Sequence, residues 1–173
     1  KEHIYNVIDT LKESPYIRLA GFHSHIGSQI IDAESFEKAL GTMIEFLAEM
    51  KRSKGLDNLE LSIGGGFGIK YVAEDDPVPL GQMCANLVRY AEEALKKSGV
   101  TISKLITEPG RAMVGEAGYT IYTIGDMKKS GDKNYIFVDG GMSDNIRHAL
   151  YDAEYTCVLP EKFSKEPQIS YCI

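Results

Sequence analysis

The residues of this chain best suited to chemistry lie in four short loops, each placed directly after a strand-like apolar run. His23-Ser24-His25-Ile26-Gly27-Ser28 offers imidazoles and hydroxyls, and Gly64-Gly65-Gly66-Phe67-Gly68 offers a backbone with almost no side chains. Glu108-Pro109-Gly110-Arg111 sets a carboxylate on a rigid turn, with a guanidinium three residues later. The fourth loop runs from Met142 to Tyr151, follows the pair Gly140-Gly141, and contains Arg147 and His148.

Each loop has a plain reading and a chemical one. Without Cβ atoms, the glycine loop lets backbone N–H groups come close to an anion, as a phosphate cradle requires; alone it reads equally as a tight strand-to-helix turn. His23 and His25 stand two residues apart, so in extended chain both point the same way. Either ring could stack on a planar ligand or pack against a carbonyl, and Ser28 could donate to a phosphate. A metal would need further ligands, and the acids lie far away in sequence, so no metal site is expected. A fixed carboxylate such as Glu108 keeps a facing pyridine nitrogen protonated, and Arg111 suits a phosphate or carboxylate. By themselves the same two residues describe a surface turn with a local ion pair. Together the loops supply a cradle, a stacking ring, a pyridinium partner and two arginines, the parts of a pyridoxal 5'-phosphate site with one part lacking.

The elements that must position these loops alternate. Ile4, Val7, Ile8 and Leu11 predict a helix over 2–12, ended by Ser14-Pro15, and a strand follows over 17–22. Asp32 is an N-cap candidate for a helix whose apolar face runs through Phe36, Leu40, Met43, Leu47 and Met50 to Gly55. A strand over 59–63 enters the glycine loop; Met83, Leu87, Ala91 and Leu95 predict a helix over 80–97; a strand over 104–107 delivers Glu108. This order predicts parallel strands joined by crossover helices. Beyond about residue 116 the rhythm changes to strand-like segments at 119–126, 135–139, 155–159 and 168–173, which predict an antiparallel β region. Three parallel strands do not close a barrel, so the chain reads as the middle of a larger protein.

Composition narrows the class. The 173 residues are 43% hydrophobic and 25% charged with a net charge of −6, as in a soluble globular protein. Lys and Arg are scattered, which excludes the basic footprint of a nucleic-acid binder. No apolar run is long enough to span a bilayer and no leader-like segment opens the chain, so a cytoplasmic protein is expected. Cys84, Cys157 and Cys172 are too few and too far apart for a disulfide framework or a CxxC metal site.

The stretches HSHIGSQI, IGGGFGI, EPGRAMVGEAG and DGGMSDNIRHALYDAEY resemble the diaminopimelate decarboxylase family, a branch of the fold-type III, alanine-racemase-like pyridoxal-phosphate enzymes. The resemblance covers essentially the whole chain, and MSDNIR-x-ALY is its narrowest motif. It implies an α/β fold: the C-terminal part of a TIM-type (β/α) barrel over 1–116, binding the cofactor, then the start of an antiparallel β domain over 117–173. It implies that His25 stacks on the cofactor and that Ser28 contacts it. Gly64, Gly65, Gly66, Gly110 and Arg111 surround the phosphate, and Glu108 faces the pyridine nitrogen. Arg111, Arg147 and Tyr151 become the substrate contacts, with Arg147 meeting the distal carboxylate of meso-diaminopimelate. The implied activity is loss of CO₂ from that substrate to give L-lysine, the last step of lysine biosynthesis, by a homodimer. No catalytic residue is identified in the chain: the family's Schiff-base lysine is expected before Lys1 and its Cys-Glu segment after Ile173, and the chain alone is expected to be inactive. Two departures open alternatives. His148 stands where relatives usually have Pro, and Asp152 follows Tyr151, as an acid does in decarboxylases of ornithine, arginine or carboxypolyamines. A non-catalytic pyridoxal-phosphate-binding homologue is the remaining class.

Overall fold

Asp32 shows how closely local chemistry sets this fold. Its carboxylate accepts the Ser35 N–H at 2.8 Å, satisfying one of the donors a helix start leaves unpaired. The helix it opens ends at Gly55, whose left-handed backbone returns its N–H to Lys51 O. The computed structural model describes residues 2–162 and 169–172. In chain order the elements are α1 (Glu2–Glu13), β1 (Gly21–His23), α2 (Ala33–Lys54), β2 (Leu59–Ser62), α3 (Leu80–Ser98), β3 (Ile102–Ile106), α4 (Arg111–Val114), β4 (Ile124–Ser130), β5 (Lys133–Val138) and α5 (Arg147–Tyr151). They divide into two units, residues 1–69 with 76–116 and residues 70–75 with 117–173.

In the first unit β1, β2 and β3 form a parallel sheet in that order, Phe22 opposite Leu61 and Leu61 opposite Leu105. Parallel neighbours need crossovers, which α2 and α3 provide. Phe36, Leu40, Ile44 and Leu47 of α2 join Met83, Leu87 and Ala91 of α3 over Leu61 and Ile63 in one buried cluster. Each buried Leu, Ile, Phe or Met side chain of this cluster contributes about 1.5–3 kcal/mol when removed from water. Ser62 of the central strand, 7% exposed, is a buried polar group.

The second unit is a hairpin with flanking segments. β4 and β5 pair antiparallel, joined by the two-residue turn Gly131-Asp132, with Ser130 opposite Lys133. None of this unit's described residues is buried.

Several expected bounds shift. β1 begins at Gly21 rather than 17, because β2 pairs with it only from there and residues 15–18 are exposed. β3 begins at Ile102, two residues earlier than expected. The strand expected over 119–126 begins at Ile124, beyond the point where Thr123 and Asp139 exchange hydrogen bonds. Residues 155–159 form no strand: their backbone has no ladder partner among the described residues, and the segment is held instead by side chains, Tyr155 edge-on to Tyr71 and Thr156 Oγ donating to Tyr71 O. Of the strand expected over 168–173, only a bridge from Cys172 to Tyr135 forms; Gln168 and Ile173 lie outside the described residues.

Candidate functional site

Three loops leave the carboxyl ends of β1, β2 and β3, the end at which α/β sheets gather ligands. They are knitted by backbone bonds: Ser24 N–H to Ser62 O at 3.0 Å, Ile30 N–H to Gly66 O at 2.9 Å and Glu108 N–H to Gly64 O at 2.8 Å. The glycines make this approach possible. A Cβ on Gly65 would collide with the Glu108 carbonyl, and one on Gly66, whose φ is 95°, with the Gly27 carbonyl. Their first steric duty is therefore to let neighbouring loops touch. Phe67 fastens the same loop to the core, its ring stacked on Phe36 at 4.5 Å and 12°.

The loops enclose a cavity of about 240 Å³ lined by His25, Ser28, Gly65, Gly66, Phe67, Glu108, Gly110 and Arg111. Gly64 lies buried behind it. His25 Nδ1 accepts the Gly65 N–H at 3.2 Å, so that bond puts the ring's proton on Nε2. Glu108 is gripped on both oxygens, Oε1 accepting from the buried Ser62 hydroxyl at 2.6 Å and Oε2 lying 3.3 Å from His23 Nε2. The Ser62 hydrogen bond, helped by the nearby His23 and His25 imidazoles, holds the Glu108 carboxyl below its ordinary range. Arg111 is not paired with Glu108, as a local turn would have it; its Nη2 donates to Ser28 Oγ at 3.0 Å and its Nη1 to Gln29 Oε1 at 3.1 Å. Because Ser28 Oγ accepts, its own O–H stays available to donate elsewhere. The cavity lining thus combines a guanidinium and a hydroxyl with an ionised carboxylate and an imidazole.

Ser62 and Gln29 were not legible as site residues. A serine within the apolar run Leu59–Ile63 was the available signal for the first; nothing in the sequence marks the second. Of the two histidines, whose spacing predicts that both point the same way, only His25 lines the cavity, while His23 approaches Glu108. Among the described residues no group of three or more His, Cys, Asp or Glu is placed to hold a metal.

Arg147 and Tyr151 belong to the second unit. One turn apart on α5, they meet with the guanidinium 5.2 Å from the ring centroid, a cation–π pair. Arg147 Nε is buried and makes no hydrogen bond among the described residues. Asp152 ends α5 with φ 48°, and His148 Nδ1 lies 3.1 Å from Ala153 O.

Comparison with known proteins adds an independent finding. Residues 3–115 match the family described as pyridoxal-dependent decarboxylase, pyridoxal binding domain. The chain is 40% identical over 152 residues to a diaminopimelate decarboxylase of Halalkalibacterium halodurans, covering 87% of this chain and 35% of that protein. Among solved structures it resembles diaminopimelate decarboxylase from M. jannaschii in co-complex with L-lysine, with TM-score 0.80, 28% identity, and 88% and 35% of the two chains covered. It also resembles lysine/ornithine decarboxylase complexed with cadaverine from Vibrio vulnificus, with TM-score 0.70, 28% identity, and 90% and 40% covered. The chain spans about a third of the length of the curated relatives it matches.

Proposed function

This chain belongs to the pyridoxal-dependent decarboxylase family, and on that premise we propose that its cavity binds pyridoxal 5'-phosphate and serves the decarboxylation of meso-diaminopimelate to L-lysine and CO₂, the last step of lysine biosynthesis. The observation that carries the reading is the lining of one small cavity, which combines a guanidinium held by Ser28 and Gln29, a carboxylate kept ionised by Ser62, and the His25 imidazole.

The residues present fit that group. A phosphate needs donors, which suits Gly66, Gly110, the Ser28 O–H and Arg111, with Gly64 and Gly65 shaping the loop around it while their N–H groups donate to Ser62 Oγ and His25 Nδ1. A pyridine nitrogen needs an anionic partner to stay protonated, which suits Glu108. When bound, pyridoxal phosphate supplies an electron sink for the carbanion left by departing CO₂. The protein's own part is positional. Glu108 holds the proton at the ring nitrogen, and Ser62 and His23 hold Glu108. The His25 face covers the ring and keeps water from it. Arg111 and Ser28 fix the phosphate, and Arg111 also contacts the substrate. Arg147, with Tyr151 beside it, receives the substrate's distal carboxylate, for which a guanidinium is a bidentate partner; a substrate with only a cationic far end would meet like charge.

The parallel strand–helix alternation and the likeness to solved decarboxylases support reading residues 1–116 as part of a TIM-type barrel, and the β4–β5 hairpin supports reading 117–173 as the start of an antiparallel β domain. The family resemblance supports a cytoplasmic homodimer. Among the described residues no helix is long and apolar enough to cross a membrane.

The deciding experiment measures CO₂ release from meso-diaminopimelate, L-ornithine and L-arginine by an intact enzyme carrying this segment, beside its Arg147→Ala variant. Release from diaminopimelate alone, with kcat/KM about a hundredfold lower in the variant, is expected. Release from ornithine or arginine would move the assignment to that branch and direct attention to Asp152. Cofactor binding without release would place the protein with non-catalytic homologues.

A further inference from the structure

Gln29, which directly follows Ser28 of the first loop, is among the most constrained residues of the site. Its φ is 60°, the left-handed region that residues with a long side chain seldom adopt. Such a conformation persists only where the surroundings hold it, and here the side chain shows what holds it. The carboxamide nitrogen donates to Ile69 O at 2.5 Å, while Oε1 accepts from Ile69 N–H at 3.3 Å and from Arg111 Nη1 at 3.1 Å. One amide therefore closes the far end of the glycine loop and grips the guanidinium of the third loop.

In extended backbone, successive side chains point to opposite sides. Ser28 and Gln29 nevertheless touch the same guanidinium, one at each terminal nitrogen, and the left-handed turn at Gln29 is what breaks the alternation. The choice of an amide is also chemical. A carboxylate at the same place would accept from Arg111 equally well, but it would cancel the positive charge and could not donate to Ile69 O.

We infer that Gln29 is a positioning residue that presets the Arg111 guanidinium and clamps the glycine loop, so that the phosphate end of a ligand meets donors already in place. The inference rests on reading the cavity as a pyridoxal-phosphate site. Its energetic basis is general: an arginine ordered beforehand loses less freedom when an anion arrives.

The test compares pyridoxal 5'-phosphate with pyridoxal, which lacks the phosphate, in absorbance titrations of the intact cofactor-free protein, for wild type, Gln29→Gly and Gln29→Glu, with thermal unfolding beside them. Glycine takes φ 60° freely, so Gln29→Gly removes the side chain without straining the backbone. The expected result is an unchanged affinity for pyridoxal and a loss of about tenfold for pyridoxal phosphate, the ordering cost of one long side chain, with a larger loss in Gln29→Glu. Equal losses for both ligands would show general loosening and overturn the inference, as would no loss in either variant. If wild type itself binds the two ligands equally, or neither, the cofactor reading fails and takes this inference with it. That failure appears in the unmutated protein and is distinguishable from the others.

Discussion

The two units of this chain carry proposed site residues in opposite ways. In the first, the loops stand on a sheet whose central strand shares one continuous core with the helices. In the second, Arg147 and Tyr151 stand on a five-residue helix in a unit where Tyr119 is 87% and Ile121 is 86% exposed. A two-stranded hairpin is marginal in water by itself. The proposed cofactor groups thus stand on packed elements, whereas Arg147 and Tyr151, proposed to meet the substrate, stand on an exposed unit with a ring–cation contact between them. Positioning in the first unit rests on buried area; in the second, the Arg147–Tyr151 pair is a ring–cation contact of modest strength.

The largest effect that would break this contrast is at Phe67. Phe67→Ala removes a buried ring stacked on Phe36 and is expected to cost about 3–5 kcal/mol in urea unfolding, whereas Tyr119→Ala in the second unit should change stability by no more than about 0.5 kcal/mol. Similar losses at both positions would mean that the second unit is packed as firmly as the first. A smaller loss is expected for Gly66→Ala, about 2 kcal/mol or more, because φ 95° is strained for alanine and the new Cβ meets the Gly27 carbonyl; pyridoxal-phosphate affinity should fall with it in the same titration. The smallest effect is electrostatic. Glu108 is held below its ordinary carboxyl range, 4.5, so its stabilising contribution is present above that value and is lost as pH falls through the lowered one. Wild type should therefore lose more stability than Glu108→Gln between about pH 6 and about pH 3. Parallel curves would show that the Ser62 bond contributes nothing to folding.

The same contrast governs what could be read in advance. Helices with punctuation at both ends were legible: Asp32 and Gly55 bound α2, and Lys96, Lys97 and Gly99 close α3, because caps are local chemistry. The loops at the strand ends were legible through Gly, Pro and His. Strand limits were not, since a strand ends where its neighbour does; β1 stops short of residue 17 for want of β2, and 155–159 reads as strand-like but has no ladder partner among the described residues. Ser62 and Gln29 stayed hidden for a related reason. Their roles come from groups 46 and 82 residues away, and no periodicity reports a contact at that range.

The way Gly65 and Gly66 abut the carbonyls of neighbouring loops has an evolutionary consequence. The floor of the cavity cannot acquire a side chain without pushing loops apart, so it is closed to gradual change by substitution. Gly110 differs: a Cβ there meets nothing within 4 Å. Room for a side chain thus exists at Gly110 and not at Gly65 or Gly66.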